Sequence, residues 1–443
     1  MRRHLRRSKH KLLSVAAWRV RLALWGGALL VGLAGTGFAK AAEYANAAFL
    51  FFIHISPALA LVISPLGLML VAWLTVKYFP GSQGSGIPQT LAAIESRSND
   101  GLRHQVLSIR IAIGKILLAF LGLCSGAAIG REGPTVHVGA AIMFFMAKVV
   151  RFPPHYMERA LILSGGAAGI AAAFNTPLAG VVFAIEEISR SFEEKTNGVV
   201  LTAVILAGMT SIVVLGNYYY FGTTSARLVE LQDWIAVPVC GVIGGLLGGL
   251  FSQILVTGSK RLSTLYRTHP LWVAGVCGLA VAAIGLASGS LSYGTGYAEA
   301  KHIVTTGEAL QAGYPFYKIL ATIASYLSGI PGGIFAPSLA AGAGLGSDLA
   351  GWFPYTAPGA IIILGMVGYF SGVVQTPLTA FVIVMEMTDN HAMLLPLMAT
   401  AFIAYGTSRM VCPEPIYQVL ARAFVPRPSR SEPVSEPSKT GGG

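Results

Sequence analysis

The sequence predicts an all-α polytopic membrane protein, built from two homologous halves whose broken helices meet at mid-membrane. Three observations predict it: composition, the length of the apolar runs, and an internal repeat punctuated by Gly and Pro. Of 443 residues, 54% are hydrophobic and only 11% are charged, against about 25% charged in a soluble domain. The mean hydropathy is +0.65. Leu22–Ala39, Leu50–Tyr78, Val106–Gly130, Ala160–Ile185 and Leu201–Tyr218 are long, predominantly apolar runs. Each approaches or exceeds the ~18–20 residues that cross a bilayer core as a helix. About a dozen such segments recur along the chain by this reading. Open sheet is excluded at that depth, because unpaired backbone groups in lipid cost several kcal/mol each.

The positive charge, +12 overall, is concentrated at the start. Arg2, Arg3, Arg6, Arg7, Lys9 and Lys11 precede the first apolar run, and Arg19 and Arg21 adjoin it. A basic arm abutting a spanning segment holds an N-terminus in the cytoplasm. Nothing else here suggests nucleic acid, so no nucleic-acid partner is expected. The first apolar stretch is too long, and followed by too many more, for a cleaved signal peptide. The expected organisation is a basic cytoplasmic arm over 1–21, a membrane domain over 22–426, and a tail over 427–443 too polar to fold. The first half of the membrane domain covers about 22–220 and the second about 234–426.

Cys124, Cys240, Cys277 and Cys412 sit in or beside apolar stretches with no CxxC spacing. They read as packing residues, neither a disulfide framework nor a metal site. HExxH, GxSG and Walker patterns are absent from the sequence. No metal, cofactor or enzymatic activity is therefore expected.

The repeat is explicit. SGAAIGREGPTVHVGA (Ser125–Ala140) aligns with SGIPGGIFAPSLAAGA (Ser328–Ala343), matching at Ser125/Ser328, Gly126/Gly329, Gly130/Gly333, Pro134/Pro337, Gly139/Gly342 and Ala140/Ala343. The offset is 203 (337 − 134). NTPLAGVVFAIEE (Asn175–Glu187) aligns with QTPLTAFVIVMEM (Gln375–Met387) at an offset of 200 (377 − 177). A weaker echo sets GSG at Gly84–Gly86 beside GTG at Gly294–Gly296, an offset of 210 (294 − 84). Duplication with helices interrupted by Gly and Pro marks secondary transporters and related channels. Duplication alone leaves parallel and inverted halves open, and the inverted arrangement is the expectation.

Three clusters interrupt the apolar chain: Gly84, Ser85, Gly86, Ile87, Pro88; Gly130, Arg131, Glu132, Gly133, Pro134; and Gly333, Ile334, Phe335, Ala336, Pro337. Gly permits a sharp turn and Pro suits the first turn of a helix, so each cluster reads as a loop opening a new helix. Helix N-termini present unpaired N–H groups and about half a positive charge. Several converging on one point would hold an anion without a full countercharge, weakly enough for release. One such cluster alone would read as a packing kink; three in duplicated halves favour an anion site.

These clusters carry a family resemblance. GSGIP, GREGP and GIFAP resemble, in order, the selectivity-filter signatures of the CLC family of chloride channels and chloride/proton antiporters. AAFNTPLAGVVFAIEE and PEPIYQVLAR around Tyr417 are similar to further stretches of that family. The resemblance spans nearly all of Leu50 to Ala421. It implies that the hydroxyls of Ser85 and Tyr417, with the N–H groups of Ile334 and Phe335, bind a central chloride. It implies that Gly84 and Ser85 line the intracellular approach. The amides around Arg131, Glu132 and Gly133, with Phe335 and Ala336, would form an outer site. Ser85 is similar to the residue of chloride-preferring members; nitrate-preferring plant relatives carry Pro there, and fluoride exporters depart from the filter more widely. Gln89 stands where many relatives have an acid.

Ionisable groups inside apolar chain are costly and default to functional candidates. A Glu132 carboxylate at a helix N-terminus would compete with chloride for the same N–H groups, and protonation would release it. The competing reading is a salt bridge with a neighbour such as Arg131. By resemblance, Glu132 is the external gate and proton-transfer residue. Glu187 reads from sequence equally as a helix-end residue solvated among Arg190, Glu193, Glu194 and Lys195; by resemblance it is the internal proton-transfer residue. Glu186 and Glu386 look structural. The resemblance further implies a chloride/proton antiporter in the lipid bilayer of a bacterial inner membrane, because no pair of regulatory CBS modules follows the membrane part. It implies a homodimer with a pathway in each subunit and both termini cytoplasmic. The alternative is a passive chloride channel of the same fold.

Overall fold

The computed structural model describes residues 15–96, 100–150, 156–189, 194–216 and 218–425. The basic arm before Val15 and the polar tail from 427 lie outside the described residues, as do Arg190 and Glu193. Helix α1 (Val15–Ile55) already includes Trp18–Arg21, because nothing between Val15 and Leu22 breaks a helix.

The chain continues through α2 (Ala60–Tyr78), α3 (Ile87–Glu95), α4 (Asp100–Val106), α5 (Ile109–Cys124), α6 (Glu132–Val149), α7 (Tyr156–Phe174), α8 (Pro177–Phe183) and α9 (Glu194–Leu215). The second half runs through α10 (Ala236–Thr268), α11 (Pro270–Ala287), α12 (Tyr297–Thr306), α13 (Tyr314–Leu327), α14 (Phe335–Ala350), α15 (Pro358–Val374), α16 (Pro377–Thr388), α17 (Leu394–Val411) and α18 (Ile416–Ala421). Among the described residues, seven helices are long and apolar enough to cross a membrane; two shorter apolar ones, Pro358–Val374 and Pro377–Thr388, accompany them.

Among the described residues, fewer uninterrupted spans form than the dozen or so expected, because several apolar runs are broken. Leu50–Tyr78 is cut at Ser56, whose extended backbone precedes a 3-10 turn begun by Pro57. Ala160–Ile185 is cut at Asn175 and Thr176 before Pro177. Asn175 and its repeat mate Gln375 both adopt left-handed backbone, at φ 58° and 56°. The residue before a Pro is disfavoured in the helical region, so each Thr-Pro ends one helix and restarts another.

The halves meet through reciprocal contacts. Gly130 N–H donates to Gly333 O at 2.7 Å, and Gly333 N–H donates back to Gly130 O at 2.7 Å. These are the repeat-equivalent glycines, bridged in antiparallel sense. The antiparallel sense fits inverted halves. A second reciprocal contact joins α8 and α16. The Glu186 carboxylate accepts from Leu378 N (3.0 Å) and Thr379 N (2.6 Å). Its repeat mate Glu386 accepts from Leu178 N (3.1 Å) and Ala179 N (2.8 Å). Each carboxylate caps the orphan amides that begin the other half's helix.

Close helix crossings hold the core. Gly139 of α6 lies against the backbone of Gly165 in α7, and Gly342 of α14 against Met366 of α15, the equivalent crossing in the other half. Small residues let backbones approach where lipid provides no hydrophobic drive between helices.

Candidate functional site: a cluster of helix N-termini around Glu132

The three glycine-rich clusters are turns that open helices, as their composition dictates. GSGIP opens α3 with Gly86 at φ 102° and Pro88 in the first turn. GREGP opens α6 at Glu132, and GIFAP opens α14 at Phe335. Backbone bridges tie the turns together. Beyond the Gly130–Gly333 pair, Gly84 N donates to Ile330 O (3.2 Å) and Gly332 N donates to Gly84 O (3.2 Å). The N-termini of α6 and α14 therefore face one another, with GSGIP alongside.

Side chains would not fit at this junction. A Cβ on Gly133 would land on Ser85 Oγ and 2.9 Å from Ser85 O. One on Gly333 would sit 3.0 Å from Gly133 N. The glycines thus bring Ser85, the start of α6 and the start of α14 to one point.

Ser85 and Tyr417 are both 0% exposed. Their hydroxyls lie within electrostatic reach of each other, and neither oxygen makes a well-formed hydrogen bond among the described residues. Buried hydroxyls are seldom left so without a ligand to receive them. Tyr417 is the second residue of α18. Its ring lies 5.9 Å from that of Phe335. Phe335 also packs on Phe370 (4.9 Å), Phe183 (6.1 Å) and Phe174 (6.5 Å). That aromatic cluster fixes the first residue of α14, so the Ile334 and Phe335 amides have a rigid mount.

Glu132 is fully buried. One carboxylate oxygen accepts from Ala336 N at 3.4 Å, in the first turn of α14. The amides of Arg131 and Glu132 itself also face it. The carboxylate thus lies between two helix N-termini. The ion pair with Arg131 considered above does not form. Arg131 turns away, donating to Ala39 O (2.7 Å), pairing with Glu43 Oε1 (3.8 Å) and stacking 5.4 Å over the Tyr220 ring.

Glu187 is 1% exposed. It is not a solvated helix end, because α8 continues as a π-helical turn over Ala184–Ser189. The wider turn sends Glu186 to the α16 amides while Glu187 faces inward, within electrostatic reach of Tyr417. The structure thus gathers Ser85, Glu132, Ile334, Phe335, Ala336 and Tyr417, with Glu187 farther along the same interior.

A cavity of about 500 Å³ opens onto this cluster, lined by Gly84, Ser85, Gln89, Tyr266, Tyr326 and Phe424 among others. Gln89 is turned into its own loop, donating to Gln83 O (2.8 Å) and Gly81 O (3.2 Å). Among the described residues no three His, Cys, Asp or Glu side chains group as metal ligands.

Sequence reasoning missed two fully buried lysines. Lys115 Nζ donates to Gly84 O (3.1 Å). Lys318 Nζ donates to Ser292 O (3.1 Å), Tyr293 O (3.0 Å) and Gly294 O (2.8 Å). They are repeat mates, 203 apart (318 − 115), and each holds a carbonyl of its half's Gly-x-Gly turn. The constant offset could have revealed them.

The family model described as voltage gated chloride channel matches residues 67–409. The chain belongs to that family, the CLC proteins. It is 30% identical over 433 residues to the H(+)/Cl(-) exchange transporter ClcA of Cronobacter sakazakii (strain ATCC BAA-894), covering 89% of this chain and 88% of that one. Among solved structures it is similar to a slow cyanobacterial Cl-/H+ antiporter, with a TM-score of 0.81 at 26% identity over 92% of this chain and 98% of that one. A CLC-type fluoride/proton antiporter shares the fold at TM-score 0.78 and 22% identity, over 92% and 99% of the two chains.

Proposed function

We propose that this CLC chain is a chloride/proton antiporter. The observation that carries the reading is the Glu132 carboxylate, fully buried between the N-termini of α6 and α14. A carboxylate and a chloride ion ask the same thing of those amides: N–H donors and the positive end of a helix dipole. In this reading a central chloride is held by the hydroxyls of Ser85 and Tyr417 and the amides of Ile334 and Phe335. The outer position, beside Arg131, Gly133 and Ala336, takes either chloride or charged Glu132. Protonation removes the charge that holds Glu132 there, and the side chain swings out. Each chloride that passes is exchanged against protons carried by the same side chain, which is why one acid can be both gate and carrier.

Glu187 supplies the inner end of the proton route in this scheme, and Tyr417 is within electrostatic reach of both acids. Gly84 and Ser85 form the intracellular approach, through the cavity that Gln89 lines. The relatives support the exchange reading, since the Cronobacter protein and the cyanobacterial structure are both named as chloride/proton exchangers. The reading extends to a homodimer in a bacterial inner membrane, with both termini cytoplasmic, a basic arm, two halves over about 22–220 and 234–426, and a polar tail.

Reconstituted vesicles test it. An outward chloride gradient should drive uphill proton uptake when a potassium ionophore supplies the balancing charge movement, and the reversal potential should move with a pH gradient. A reversal potential that follows chloride alone would establish the passive channel instead.

A further inference from the structure

Arg131 adjoins the gate, yet its guanidinium points elsewhere. Its partners are Ala39 O at 2.7 Å, Glu43 Oε1 at 3.8 Å, and the Tyr220 ring at 5.4 Å. Two of them, Ala39 and Glu43, sit one turn apart on α1. The Arg131 side chain is buried and its Nε has no hydrogen bond among the described residues, so its present direction is not fixed by full saturation. Glu43 is half-exposed and is shared with Lys40, whose Nζ is 3.0 Å from the other carboxylate oxygen. A buried guanidinium with a spare donor beside a buried carboxylate would ordinarily pair with it. Such a pair would hold Glu132 in its charged form.

We propose that Glu43 is a positioning residue for the gate: it draws Arg131 toward α1 and so leaves Glu132 free to exchange its proton. The proposal rests on the reading of Glu132 as the gate. Among the described residues, the charged and titratable groups around this region include Arg131 beside Glu132, Lys40 and Glu43 on α1, Tyr218 and Tyr220 in the loop after α9, Tyr297 of α12, and Tyr417 of α18 with Tyr326 and Glu187 near it. Glu43 is the acid among them that pairs with Arg131. The sign follows. Without Glu43, Arg131 turns to Glu132, the charged gate is held more firmly, and a lower pH is needed to open it.

The test is the pH dependence of chloride efflux from vesicles, for the full chain and for Glu43→Gln. The activation midpoint should move to lower pH by ~0.2–0.7 unit, the range that a partly exposed ion pair can supply. In an Arg131→Gln background, Glu43→Gln should have no further effect, because the residue it acts through is gone. Lys40→Gln, which leaves Glu43 wholly to Arg131, should move the midpoint the other way. An unchanged midpoint in Glu43→Gln overturns the proposal, as does a shift of equal size in the Arg131→Gln background, which would mean a bare field effect. Glu132→Gln separates this from the parent reading. If that variant keeps the wild-type pH dependence, the gate assignment itself fails; if it loses it while Glu43→Gln shifts nothing, only the role of Glu43 fails.

Discussion

Replacing Glu186 by Gln removes one of the two reciprocal caps that join the halves. The structure sets the size of the effect. Glu186 accepts two first-turn amides of α16, the shorter at 2.6 Å. Gln keeps a single acceptor oxygen, and its NH2 meets the second amide donor to donor. The loss is one charge-assisted hydrogen bond, ~1.5–3 kcal/mol, plus a charge–dipole interaction of ~0.3–1 kcal/mol. Partial exposure of the contact brings the sum down to about 2 kcal/mol. Glu386→Gln should cost nearly the same, because its contacts at 3.1 and 2.8 Å repeat the geometry. The assay is thermal unfolding of purified protein in detergent, scanned at several rates because large proteins unfold irreversibly. Each kcal/mol lowers the midpoint by roughly 2–4 °C in a domain of 150–250 residues, and by less in a longer chain. The double variant should fall short of or exceed the sum by ~0.5 kcal/mol or more, since both caps act across one helix pair. If either single substitution leaves the midpoint unchanged, or if the two differ several-fold, the reciprocal capping is not what holds this seam.

Gly133→Ala should fold but lose roughly tenfold or more in chloride flux, because its Cβ lands on Ser85 Oγ and overpacking of this kind costs ~1–3 kcal/mol; wild-type flux would show that Ser85 does not sit against α6. Glu187→Gln should depress proton flux at least tenfold while chloride still moves, as read from paired pH- and chloride-electrode traces on one vesicle preparation. Lys318→Met leaves three carbonyls without their donor and should destabilise the protein by ~3 kcal/mol or more, measured as a fall in detergent unfolding temperature.

The fold class was legible because lipid leaves so few choices. Long apolar runs with 11% charge admit little but helices. The three site turns were legible because Gly and Pro have specific backbone meanings at fixed offsets. What escaped was of two kinds. Breaks inside apolar chain, at Ser56 and at Asn175, carry no signal in hydropathy, although each lies at or just before an X-Pro step, Ser-Pro at 56–57 and Thr-Pro at 176–177 with its mate at 376–377. Direction was the other. Glu186 and Glu187 are adjacent and followed by charged residues, so residue chemistry alone does not separate them, and only the family resemblance set them apart. The π-helical turn over Ala184–Ser189 separates them, one to a helix cap and one to the interior. Isolated lysines in apolar helices gave no pattern singly, and only the 203-residue offset relates Lys115 to Lys318. The Glu43–Arg131 contact joins residues 88 apart (131 − 43) and no local motif encodes it.

The most direct test of the central claim is the anomalous scattering of bromide in crystals of the full chain and of Glu132→Gln. In the native chain, bromide should lie between Ser85 Oγ, Tyr417 Oη and the amides of Ile334 and Phe335. In Glu132→Gln a further bromide should occupy the place of the carboxylate, next to Ala336 N. Bromide found away from the N-termini of α6 and α14, or an outer position that stays empty once the charge of Glu132 is gone, would contradict competition between gate and anion for one set of amides.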